Sequence, residues 1–123
     1  MNSPLLLCFR INEETCAALK KLGKPFGAQL KRVSPAAYSL PLAAIAAGME
    51  GQGSPLLSDF PEPMLVFVNF PEVMLDSFLD AMRARGIRVP LKAIVTEHNA
   101  VWTPHTLYRE LCAEREAIQT KRG

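Results

Sequence analysis

The chain has no C-x-x-C pair, no glycine-rich phosphate loop and no apolar run near the ~20 residues that a membrane span needs. Its cysteines, Cys8, Cys16 and Cys112, are odd in number and far apart. They fit free thiols in a reducing compartment better than a disulfide framework. Lys and Arg total 14 against 12 Asp and Glu, a net charge of only +2. No general basic field therefore draws the protein to nucleic acid or to a membrane surface. The opening MNSPLLLCFRINEE lacks a cationic stretch, and its apolar run stops at Phe9, so it does not read as a secretion signal. These absences predict a soluble, cytoplasmic protein with no cofactor.

What is present suits one globular domain over 1–123. The chain is 49% hydrophobic, and a chain of this length buries roughly two-thirds of its unfolded surface without a metal or disulfide staple. Residues 4–11 (PLLLCFRI) and 63–70 (PMLVFVNF) are continuous apolar runs, the pattern of strands covered on both faces. Each is followed by a helix. Over 12–23, Asn12 caps, Glu13 and Glu14 start, Lys20 and Lys21 finish, and Gly23 can end the helix in a left-handed turn. Cys16, Leu19 and Leu22, with Ala18, form its apolar face. Over 71–86, Leu75, Phe78, Leu79 and Met82 form a helical stripe.

A second strand and helix complete each half. They fall at 28–34 and 38–48 in the first, and at 91–96 and 103–119 in the second, where Leu107, Leu111 and Ile118 share a face. The halves, 4–48 and 63–118, resemble each other: PLLLCF faces PMLVFV, LKRVS faces LKAIVT, and Tyr38-Ser39 faces Trp102-Thr103. The linker, 49–62, is rich in Gly, Pro and Ser. The prediction is an α/β fold: two strand–helix–strand–helix halves in one four-stranded sheet, with helices on both faces. The first and third strands are central, and each strand–helix–strand unit is parallel. The whole sheet is mainly parallel, or mixed if a pseudo-twofold relates the halves. A ferredoxin-like α+β arrangement, with one open face, is the alternative.

One stretch concentrates candidate chemistry. KAIVTEHNAVWTPHTLYREL, 92–111, holds both histidines and the only tryptophan. Thr103 suits an N-cap, Pro104 the first helical position, and Trp102 and Leu107 the spacing of a hydrophobic staple. Asn99 suits a turn, because Asn tolerates left-handed backbone and bonds to its own chain. Metal binding is not expected: Glu97, His98 and His105 lack ligand spacing. Nor does any local signature support a His–Cys nucleophile. Ligands of open α/β sheets gather beyond the carboxyl ends of the strands. There Thr96, Asn99, Thr103, His105 and Lys92 could hold a small carboxylate or phosphate, walled by Trp102. The same logic marks Ser34 and Ser39 in the first half.

The run from PMLVF through RARGI to VPLKAIVTEHNAVWT and LYRELCAERE resembles a bacterial family known as domain of unknown function 3783. The resemblance covers about 62–118. The recurrent family features fall on Pro90, Leu91, Lys92, Ala93, Thr96, Asn99, Trp102, Thr103, Glu110 and Leu111. It implies a loose connection with amino-acid metabolism and no catalytic residues.

Three functions remain in competition. The first is a non-enzymatic small-ligand-binding or regulatory module. The second is a protein–protein interaction module, a homodimer formed through the 28–34 edge strand or through Leu56–Phe60. The third is an enzyme using His98, His105 or Glu97. A nucleic-acid partner is not expected, because the basic residues lack interleaved aromatics.

Overall fold

Two apolar runs with almost nothing to show to water form the middle of the sheet. The computed structural model describes residues 3–49 and 61–122, with β1 at Leu5–Phe9 and β3 at Met64–Val68. All five residues of β3 are buried, as a strand covered on both faces requires. β1 and β3 pair antiparallel, with Leu7 opposite Val66 at the centre. β2 (Gln29–Val33) adds to β1 in parallel, and β4 (Leu91–Ile94) adds to β3 in parallel. The order is β2-β1-β3-β4. The sheet is therefore mixed: two parallel units whose first strands run against each other.

Alternation along the strands then sorts the core into two layers. Leu6, Cys8, Leu65 and Phe67 face α1 (Glu13–Gly23) and α3 (Glu72–Ala84), packing with Cys16, Leu19, Leu75, Phe78 and Met82. Leu7, Phe9, Met64, Val66 and Val68 face α2 (Leu42–Ala46) and α4 (Pro104–Arg122), packing with Leu42, Ile45 and Leu107. Helices on both faces exclude the ferredoxin-like alternative. No helix among the described residues is long and apolar enough to cross a membrane.

Several local expectations hold and several shift. Asn12 caps α1, its side-chain oxygen accepting from the Thr15 amide at 2.7 Å. Gly23 does not turn left-handed: its φ is −76°. The chain continues through a 3₁₀ turn, Lys24–Phe26, and the left-handed residue is Gly27, at φ 69°. Gly23 serves close packing instead. A Cβ there would stand 3.3 Å from both the Cβ and the carbonyl oxygen of Ala28. The expected helix over 38–48 shortens to α2, which starts only after Pro41 and is preceded by a 3₁₀ turn at Pro35–Ala37. Ile118 is exposed rather than on the core face. A helix of 19 residues extends roughly 28 Å, beyond the roughly 17 Å of a five-residue strand. Leu56, Leu57 and Phe60 lie outside the described residues.

Under the α1 and α3 layer, Phe67, Phe70 and Phe78 meet edge to face at 5.1–5.7 Å, and Phe26 joins Phe78 at 5.4 Å. Phe78→Ala should cost about 3–5 kcal/mol in urea unfolding, because the ring is fully buried and its loss leaves a cavity among Phe26, Phe67 and Phe70. Val73→Ser, on the exposed side of the same helix, should stay within about 0.5 kcal/mol of the wild type.

Candidate functional site

The turn after β4 is held by its own side chains. The Thr96 amide donates to Asn99 Oδ1 at 2.8 Å, and the Asn99 amide donates back to Thr96 Oγ1 at 3.2 Å. Asn99 Nδ2 donates to the Ile94 carbonyl at 2.9 Å. Backbone bonds from Ala100 to Thr96 and from Trp102 to Asn99, both 2.9 Å, close the turn. Asn99 does not take left-handed backbone, since the non-glycine residues with positive φ are Arg10 and Asn69. Its contribution is the side-chain amide.

Two carbonyls of this turn reach the other half of the molecule. Trp102 accepts from the Leu42 amide at 2.8 Å, and Ala100 accepts from the Ala43 amide at 3.0 Å. Those are first-turn amides of α2, whose N-cap is Pro41, a residue with no side-chain oxygen to offer. The turn therefore caps α2 from a distance. Sequence reasoning missed this contact. Its one signal was a helix start with a proline where a capping side chain should be.

The remaining candidates are engaged locally. Thr103 caps α4, its Oγ1 accepting from the Thr106 amide at 3.4 Å and sharing a 3.2 Å bond with the Thr106 hydroxyl. Trp102 packs on the second core layer and meets His98 edge-on at 5.3 Å. His105 meets Tyr38 edge-on at 5.4 Å. Lys92 is not with them. It donates to the Val89 carbonyl at 2.9 Å and lies four residues before Thr96, roughly 13 Å away along the chain. Among the described residues no three His, Cys, Asp or Glu side chains group as metal ligands do.

A cavity opens instead at the carboxyl ends of β1 and β2. It measures about 340 Å³ and is lined by Cys8, Arg10, Arg32, Ser34 and Tyr38, with apolar walls from Ile11, Val33 and Pro35. Arg32 stands opposite Cys8 in the parallel register. Arg10 follows β1 directly, at φ 58°. Burial pushes the Cys8 thiol well above its usual range, Cys16 adds to the shift, and Arg32 offsets only part of it. Ser34 was legible from its place beyond the strand end; Ser39 does not line the cavity. Arg10 and Arg32 were missed. Nothing in the sequence singles Arg32 out from the other basic residues, and nothing marks an arginine as left-handed.

Residues 63–118 match the model of DUF3783, a domain of unknown function. The DUF3783 match runs from the start of β3 through α3, β4 and the α2-capping turn into α4. It agrees with the resemblance seen in the sequence. It leaves out β1, α1, β2 and α2, and with them the cavity. No curated protein and no solved structure matches the chain.

A third polar group ties the approach to β3 against α4. Arg115 grips the Glu62 carboxylate with both forks, at 2.8 and 2.6 Å, and the Tyr108 hydroxyl lies 3.5 Å from Glu62 Oε1. Arg115 holds the Glu62 carboxyl below its ordinary range. Tyr108 is pushed up to about 12, first by burial and then by the Cys112 thiol.

Two measurements follow. Asn99→Ala removes two side-chain hydrogen bonds from an exposed turn and should lower stability by about 1–2 kcal/mol in urea unfolding. No change at all would mean that the side chain is not what closes the turn. For Glu62 the native pKa lies below its ordinary 4.5. The ionised carboxylate therefore stabilises the fold above that value, and the contribution is lost as pH falls through the lowered native pKa. The stability difference between wild type and Glu62→Gln should be present near pH ~6 and fade toward pH ~3.

Proposed function

We propose that the protein is a non-enzymatic small-ligand-binding or regulatory module whose ligand sits beyond the carboxyl ends of β1 and β2. The observation that carries this reading is the cavity of about 340 Å³ at that place. It falls at the small end of ligand pockets, roughly 300–1,000 Å³, and where open α/β sheets hold their ligands. Apolar walls with a few polar groups are the usual lining of such a site.

Two features favour binding over catalysis. The thiol in the lining, Cys8, is held protonated by burial and is not an activated nucleophile. Both histidines serve as ring edges, against Trp102 and Tyr38, and neither lines this cavity.

The test is a thermal-shift screen of the full chain with amino acids, nucleotides, phosphates and divalent metals, followed by amide NMR of each hit. A ligand at about a hundred times its Kd stabilises the native state by about 2.7 kcal/mol, which raises the melting temperature by several degrees. Its chemical-shift changes should concentrate at 8–12 and 32–38. Changes confined to 96–103, or no hit from any class, would remove the proposal.

A further inference from the structure

We propose that this cavity takes a dianionic phosphate group, held between Arg10 and Arg32; the assignment rests on the binding role argued above and names its ligand class. Both guanidinium groups come from the ends of adjacent parallel strands, and among the described residues lining the cavity none is acidic. Ser34 adds a hydroxyl donor. The thiol beneath, protonated by burial, adds no negative charge to repel an anion. Arg32 also lines a neighbouring cleft of about 320 Å³ with Glu13 and Lys20, whose charges offset each other. A guanidinium fork matches two phosphate oxygens at once, so two arginines suit a dianion with three free oxygens better than a single carboxylate.

Arg10 carries the argument further. It occupies left-handed backbone at φ 58°, and Asn69 occupies the matching place directly after β3 at φ 60°. Asparagine is at ease there, and in the second half its amide is used to hold the chain, donating to the Ser3 carbonyl at 3.3 Å. Arginine is not at ease there. Two turns of the same shape thus carry one residue suited to the backbone and one that is not, and the unsuited one lines the cavity. Strained backbone of this kind belongs with ligand clamps, where the side chain repays the conformation.

The experiment is a titration of the full chain with inorganic phosphate at constant ionic strength, followed by amide NMR and calorimetry, with acetate as the monoanion comparison. Saturable shifts at 8–12 and 32–38 are expected, with acetate at least about tenfold weaker. Arg10→Asn, which puts a residue suited to this backbone in its place, should weaken phosphate at least about tenfold. A residue placed there for structure alone would lower the melting temperature and leave phosphate affinity unchanged. Should Arg10→Asn not fold, Arg32→Gln, on the exposed strand surface, carries the same test of affinity. Phosphate binding that survives either substitution overturns the assignment, as does the absence of saturation. If phosphate fails while an uncharged compound moves the same amides, the phosphate assignment falls and the binding role stands. If no compound moves them, both fall.

Discussion

The antiparallel ladder between β1 and β3 joins the two units at the centre of the sheet. It runs from Leu5 opposite Val68 to Phe9 opposite Met64, with Leu7 and Val66 at its middle. Each rung places one residue from each half on the same face. Leu7 and Val66 look toward α2 and α4, while Leu6 and Phe67 look toward α1 and α3. A slip of one residue would send each strand's core set to the wrong layer. The register is therefore held by burial on both sides at once, and every helix takes its place from it.

The second tie is polar and crosses between the halves. α2 has five residues, too few to persist on its own in water. Leu42 and Ile45 bury it against the sheet, and the carbonyls of Ala100 and Trp102 take up its first amides. This gives the polar cluster of the 92–111 stretch a physical account. Thr96 and Asn99 shape a loop so that two backbone oxygens, and not a side chain, face a helix from the other half. In this structure the Thr96 and Asn99 side chains hold the loop in shape.

The legible parts of the structure are those written in neighbouring residues. The unbroken apolar runs at 4–11 and 63–70 announced central strands, because only a strand covered on both faces can lack polar positions. Asn12 and the Leu75–Phe78–Met82 stripe announced α1 and α3 for equally local reasons. What stayed hidden depends on partners distant in the chain. Nothing near Trp102 says that Leu42 will donate to it. Gly23 and Gly27 compete to end α1, and the outcome turns on the close approach of Ala28 to Gly23. The cavity was half visible: its position follows from strand direction, and Ser34 from that position. Its two arginines emerge only when β1 and β2 lie side by side.

The opposed direction of the two units has a consequence for how such a chain can change over time. The carboxyl ends of β1 and β2 lie at one pole of the sheet, and those of β3 and β4 at the other. A five-residue strand separates the strand ends by roughly 17 Å, yet Tyr38 of the cavity wall meets His105 of α4 at 5.4 Å, and Leu42, four residues on, is held by the Trp102 carbonyl. One pole holds the cavity and the other holds the loop that fastens α2. Substitutions in the cavity wall and in the fastening loop are therefore expected to couple through the 38–42 segment rather than to accumulate independently.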